Sequence, residues 1–551
     1  MRRPRRQGVC GASREGITIP ARGQSMRLSP RALGAALLFA GGAFATGAAF
    51  LPGRFGFALL LSLAPLVACL RGVRPLRAFL LGWLFGTLAW GVGLYWFPPV
   101  VAEYSAGLPG LRWIFFLGII AYLGLEVALA AWLIRFLADG LARAGLSEAA
   151  ALAAASLPAW VCVDGYFPPL FPAPIATTQL FHLPLVQSLD LFGAAGVAWI
   201  IAVTNAGIFL SVVGRGRGLR RWAPLAAAAG LLALNEGYGI LRMRAVDAGV
   251  ARRVEEGRTL SIALVQASIP FSRRRTGQFV EANLTAYRAL SEEALEAGPL
   301  DLIVWPQNTY ERRLRVSAEG RVTIHGEDAA AVLGRDLPYP ARSLVTTLAQ
   351  VEGSGQRYAS VLFGPERGIE GVSYKRSPTP LSEYFPMGSV FPFLYRLTPR
   401  MNRIQPGPQE PIRVGDARVG VYICYDGMKP GSARDLARSG AQVLINPSSD
   451  QWSRDRSVQP LQAFAVTRLR AIETRRYLIR STPNGMSSVV DAVGRLVDEI
   501  PIDGKGVLRA NVPLLDGAPV AGALGPALYR LALLLAAALF VAGRRRGPLK
   551  S

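Results

Sequence analysis

Residues 420–426, GVYICYD, are the stretch on which the reading of the whole chain turns. An apolar run of strand character, residues 419–423, ends on Cys424 and is followed at once by Tyr425, Asp426 and Gly427. A rigid strand that delivers a thiol to a sharp turn is how a fold presents a nucleophile to a reactant. The same thiol also suits a plainer role, because free cysteine is among the most buried residue types and packs as a small hydrophobe. The rest of the chain has to separate the two.

Working outward, the 551 residues are too many for a single core and predict two or three units. Hydrophobic residues make up 51%, charged residues only 18%, and the mean hydropathy is +0.29, which indicates a membrane protein. The net charge of +24 does not indicate nucleic acid. Its lysines and arginines sit at the ends of apolar segments, where they anchor helices, and no basic face is interleaved with stacking aromatics.

A basic tail, residues 1–32, opens the chain; it lacks the layout of a cleaved signal peptide, and Met26 is as good a start as Met1. Apolar segments follow at about 33–51, 55–70, 78–100, 113–136, 147–165, 190–213 and 222–241, with another at about 521–543 and a basic tail at 544–551. Alternate loops are basic: Arg71, Arg74 and Arg77 in one, Arg135 and Arg143 in the next, Arg215, Arg217, Arg220 and Arg221 in a third. Residues 167–190 contain no Lys or Arg. The positive-inside rule then places the tails and the basic loops in the cytoplasm and everything after the seventh segment outside. Within the spans Glu126 is the ionisable residue deepest in apolar sequence, open to a packing role or a substrate role; Asp164 and Glu236 lie near segment ends.

From 258 to 515 the composition becomes that of a globular domain. SIALVQASI, LDLIVWPQ, YASVLFGPE, ARVGVYICYD, AQVLINPSS and YLIRSTPN read as strands. Helical patterns lie at 277–298, 341–352, 432–439 and 458–476, and MSSVVDAVGRLVDEI reads as a hairpin turning at 492–494. Alternation of this kind predicts an α/β layered domain.

Three stretches of that domain belong together: LDLIVWPQN, ending a strand at Gln307; YKRSPTPLSEYFP, with Lys375 and Glu383; and GVYICYD, with Cys424. With INPSSDQWS, TRLRAIETRR and STPNG, and with LVQSLDLFGAAGV in the membrane half, the chain resembles the apolipoprotein N-acyltransferases, membrane members of the nitrilase or carbon-nitrogen hydrolase superfamily. The resemblance implies a polytopic α-helical membrane protein of about eight transmembrane helices carrying a nitrilase-like α-β-β-α sandwich. It also implies an inner-membrane location with the sandwich on the periplasmic side. The implied reaction moves a fatty acyl chain from a phospholipid donor, through a thioester on Cys424, to the N-terminal amine of a diacylglyceryl-modified apolipoprotein.

In such a site Lys375 favours the thiolate by its charge and stabilises the oxyanion together with the backbone amide after the cysteine. Two departures from the family pattern stand out. Gln307 occupies the place of the base Glu and cannot accept a proton, and Asp426 replaces a second Glu. Asp426 or Glu383 is left to take the proton. Tyr425, Asp426 and Trp452 are candidate supporting residues, Trp452 as a lid or as an interfacial aromatic. Lys375 alone also fits a solvated lysine, and Glu383 a partner for a nearby arginine. The alternatives to the acyltransferase are an impaired homologue that binds acyl lipid or lipoprotein, and a membrane-tethered amidase. The two histidines, His182 and His325, and the scattered cysteines form no metal-ligand spacing, and no nucleotide fingerprint is present, so neither metal nor cofactor is expected.

Overall fold

The computed structural model describes residues 30–104, 110–214, 218–269, 279–366, 368–396, 403–450 and 458–545. Six helices among them are long and apolar enough to cross a membrane: Ala32–Ala49, Pro75–Gly93, Arg112–Arg143, Glu148–Tyr166, Leu189–Val213 and Ala523–Arg544. Small residues let them pack closely. A Cβ at Gly82 would lie 2.6 Å from the Val127 carbonyl, and one at Gly86 2.9 Å from Gly124, so only glycine allows the second and third of these helices to touch there. The two other apolar segments take different forms. Arg54–Cys69 is shorter and broken into successive short helices. Ala223–Glu255 is one helix of 33 residues, about 50 Å long, which runs beyond its apolar part almost to the first strand.

The globular part is two sheets face to face. One carries the order Gly506–Pro513, Thr259–Gln266, Leu302–Gln307, Arg342–Val351, with the hairpin Gly355–Gly364 and Gly368–Tyr374 joined to the last of these. The other runs Leu496–Ile500, Ser487–Val490, Leu478–Ser481, Val443–Pro447, Ala417–Val421, Ile412–Val414. Central strands in both pair in parallel, as buried β-α-β units require. Ile262, Leu264, Val304 and Leu344 of the first sheet share a core with Val419, Val421, Ile445 and Ile479 of the second. Phe279–Glu296 and Ala329–Asp336 cover one outer face, and Pro430–Arg438 and Gln459–Thr474 the other. The layers are therefore α-β-β-α. The strand readings of the sequence fall on these strands, and the hairpin turns within 491–495.

One element is corrected. Residues 341–352, expected as a helix, form the strand Arg342–Val351. Its apolar spacing imitates a helix because the strand is buried on both faces, which erases the two-residue alternation. Val345, Thr346 and Thr347 are the β-branched residues that argue for a strand.

The helix Gln459–Thr474 docks the sandwich on the membrane helices. Its Leu469 and Ile472 belong to the membrane-helix core. Gln462 donates to the Phe50 and Gly93 carbonyls at 3.1 and 2.9 Å and accepts from the Trp96 indole at 2.9 Å. Just past the helix, Arg475 donates to Asp190 at 3.0 Å and to Gln187 at 2.6 Å.

Candidate active site

Gln307, Lys375 and Cys424 all sit at or just beyond the ends of strands, at the carboxyl end of the sheets where parallel α/β folds collect their ligands. Cys424 opens a short turn, Cys424–Met428, and adopts φ 52°, a left-handed conformation that costs a non-glycine residue about 1–3 kcal/mol. Neighbouring hydrogen bonds hold it there. The Asn446 amide donates to the carbonyls of Tyr422 and Cys424 at 2.8 and 3.3 Å, and the Asp426 amide donates to the Ile423 carbonyl at 3.1 Å.

Lys375 follows the strand Gly368–Tyr374 and is fully buried. Its Nζ donates to Glu383 Oε1 at 2.7 Å and Thr379 Oγ1 at 3.2 Å, and stands 5.4 Å from the Tyr358 ring. Burial alone pushes an ammonium towards neutrality, but Glu383, Cys424 and Asp426 outweigh it and hold Lys375 above its ordinary value. These neighbours favour the ammonium form of the lysine, within electrostatic reach of the thiol. Glu383 is committed on both oxygens, the second accepting from the Thr379 amide at 2.7 Å.

Asp426 has a different task. Its carboxylate accepts from the amides of Arg376, Ser377 and Ile423 at 3.1, 2.6 and 3.1 Å, and from Gln409 at 2.7 Å. Burial pushes its carboxyl up to about 6, against the pull of Lys375 and the three amides. Three of the four donors fall on Oδ2 and one on Oδ1, and together they tie the lysine loop to the cysteine turn. Asp426→Asn puts an NH₂ group among converging N–H donors and is expected to cost about 2–4 kcal/mol, read as a lowered unfolding midpoint of the detergent-solubilised protein.

Gln307 ends Leu302–Gln307, in register with Thr346, and is 2% exposed. Its Oε1 is buried and accepts no hydrogen bond from any described residue. Trp452 falls within 451–457, outside the described residues. Tyr425 turns towards the membrane half, donating from its hydroxyl to the Leu170 carbonyl at 2.8 Å. Nothing in the sequence around either residue signals that bond. Asn446, which the sequence resemblance reaches only as the first polar residue of INPSSDQWS with no task attached, is fully buried in a central strand, unusual enough for an asparagine to mark a polar duty.

Two cavities lie where the sandwich meets the membrane helices. One, of about 470 Å³, is walled by Trp90, Trp96, Phe171, Phe464 and Met486 and reaches Met428 at the end of the cysteine turn. The other, of about 440 Å³, also reaches Met428 and has Glu126, Asp164, Arg470 and Glu473 on its walls. Asp164 there is satisfied by the Ile175 amide and the Tyr529 hydroxyl, each at 3.1 Å, and Arg470 pairs with Glu473 at 3.0 Å.

A strained cysteine, a buried lysine with a carboxylate on it, and a sandwich of this layering mounted on membrane helices form an arrangement of the carbon-nitrogen hydrolase type. Residues 261–521 match the carbon-nitrogen hydrolase family, and residues 42–207 match the apolipoprotein N-acyltransferase N-terminal domain. An apolipoprotein N-acyltransferase of Pseudomonas paraeruginosa is 30% identical over 467 residues, 83% of this chain and 86% of the relative. One from Geobacter metallireducens is 29% identical over 475 residues, 83% and 85% of the two chains. The chain belongs to the apolipoprotein N-acyltransferase family. Among solved structures, Saccharomyces cerevisiae Nit3, a member of branch 10 of the nitrilase superfamily, aligns at 20% identity over 46% of this chain and 90% of that one, with a TM-score of 0.35.

Proposed function

We propose that this protein acylates the N-terminal amine of diacylglyceryl-cysteine apolipoproteins, using a membrane phospholipid as donor and Cys424 as the carrier of the acyl group. The observation that carries the reading is a strained thiol within electrostatic reach of a buried lysine, on a turn whose last residue, Met428, lines an apolar cavity walled partly by membrane helices. The cavity is suited to an acyl chain, and a dry site lets an amine compete with water for the acyl group.

In the first half-reaction the Cys424 sulfur bonds to the ester carbonyl carbon, the carbon-oxygen bond to glycerol breaks, and lysophospholipid leaves. In the second, the α-amine bonds to the thioester carbon and the carbon-sulfur bond breaks. The Lys375 ammonium supports the thiolate and the oxyanion in both. Proton transfer falls to Glu383, because Gln307 cannot take a proton and Asp426 already accepts four hydrogen bonds, whereas Glu383 accepts one on each oxygen; Glu383 receives the thiol proton and returns it to the departing alkoxide, and in the second half-reaction it takes the amine proton and passes it to the leaving Cys424 thiolate. Written this way the reaction balances with no cofactor. The alternating basic loops support a periplasmic site in the inner membrane.

Gln307 is the one observation that favours a second reading, a homologue that binds acyl lipid or lipoprotein with little turnover. Phospholipid labelled in its acyl chain separates the two. The acyltransferase is expected to carry label on Cys424 that hydroxylamine releases, with Cys424→Ala lowering the yield at least about 10³-fold. A parent protein that labels no better than Cys424→Ala leaves the binder.

A further inference from the structure

The left-handed Cys424 is fixed from a distance. Asn446, whose side chain is fully buried in the strand Val443–Pro447, spends both amide hydrogens on the carbonyls of Tyr422 and Cys424. An asparagine amide can occupy such a site in two orientations, and only one of them donates to those carbonyls. Arg480 decides between them. Its Nη1 donates to Asn446 Oδ1 at 2.8 Å, so a flipped amide would set NH₂ against guanidinium and oxygen against two carbonyls. Arg480 is 2% exposed and is itself held by Asp450, whose two oxygens each accept from Nη2 at 3.0 Å. A carboxylate fits there because residue 485 is glycine: a Cβ would stand 2.1 Å from Asp450 Oδ2.

The consequence falls on one peptide plane. In a planar trans peptide the carbonyl of Cys424 and the N–H of Tyr425 point in opposite directions, so a bond that fixes the carbonyl also aims the N–H. That N–H is the backbone donor directly following Cys424, the donor that the acyl-transfer reading assigns to the oxyanion of a tetrahedral intermediate. We propose that Arg480 and Asp450 are positioning residues that set the oxyanion-stabilising amide of Tyr425 through Asn446. The inference rests on the acyl-transfer reading of Cys424. It makes the buried Asp450–Arg480 pair, which by itself is weak evidence for stability, part of the geometry of the reaction.

The test compares the full-length parent in detergent with Arg480→Lys, which keeps the charge and removes the planar fork that bonds Asn446 and Asp450 together, and with Asp450→Asn, which keeps the shape and removes the charge. Each is given two reagents that attack the same thiol. A p-nitrophenyl acyl ester forms the thioester through an oxyanion, whereas iodoacetamide alkylates sulfur without one. Both variants are expected to lose about 10-fold or more in the acylation rate while alkylation changes by less than about twofold. Equal loss with both reagents points to damage at the thiol or in the fold and overturns the proposal, as does no loss with either. Phospholipid is run as a third donor on the parent. A parent acylated by the nitrophenyl ester but not by phospholipid removes the donor reading and leaves the positioning result standing.

Discussion

Gln307→Glu is expected to raise the rate of thioester formation on Cys424 by about 10²-fold or more, the usual worth of a placed general base. The substitution is nearly isosteric and changes an orphan amide oxygen, buried at the end of its strand, into a group that can take the thiol proton. Rates measured by single turnover with labelled phospholipid, across neutral to alkaline pH, give the answer. The gain has a structural cost, since the new carboxylate is buried, and the unfolding midpoint is expected to fall even as the rate rises. An unchanged or lower rate would show that the site has reorganised around the amide and that the Lys375–Glu383 pair already carries the proton.

Lys375→Met is expected to remove thioester formation and to destabilise the domain by about 3–5 kcal/mol, because it strands the Glu383 carboxylate in a buried site. The double variant Lys375→Met with Glu383→Gln distinguishes the two effects. It is expected to regain most of the stability, since no charge is left unpaired, and none of the activity. Thermal unfolding and hydroxylamine-sensitive labelling are measured on the same samples. If the single variant unfolds like the parent, Lys375 is not the buried member of an ion pair; if the double variant recovers labelling, the cation is dispensable to the thiol.

The parts of the fold and site that are legible in the sequence are those that leave a local mark. Cys424 and Gln307 each end an apolar run, so the order of residues alone puts them at strand ends, whereas Lys375 follows the mixed stretch 368–374 and is marked only by the tyrosine before it and Glu383 after it. Glu383 stands out as a candidate, but its bond to Lys375 depends on a loop closing over eight residues, which no periodicity encodes. Asp426 lies beside the nucleophile in sequence, and its neighbours there do not decide whether it acts as a base. Only the four donors that converge on it, three of them backbone amides, reveal that it ties the lysine loop to the cysteine turn. The strand Arg342–Val351 imitates a helix because burial on both faces removes the alternation that identifies strands. Contacts between distant segments, such as Tyr425 to Leu170 and Arg480 to Asn446, are out of reach because each side chain is unremarkable in its own neighbourhood.

Leu469 and Ile472 lie on a helix of the sandwich yet pack in the core of the membrane helices, and Tyr425, next to Cys424, bonds to a membrane-side loop. The chemistry is thus not portable. Cutting the chain between its two halves would expose an apolar seam and unmoor the turn that holds the thiol, so the sandwich is less a soluble enzyme with an anchor than one half of a single body. On the proposed acyl-transfer reading, a lipid donor would reach such a protein from within the bilayer, and selection for lipid would begin with where the turn carrying Cys424 is moored.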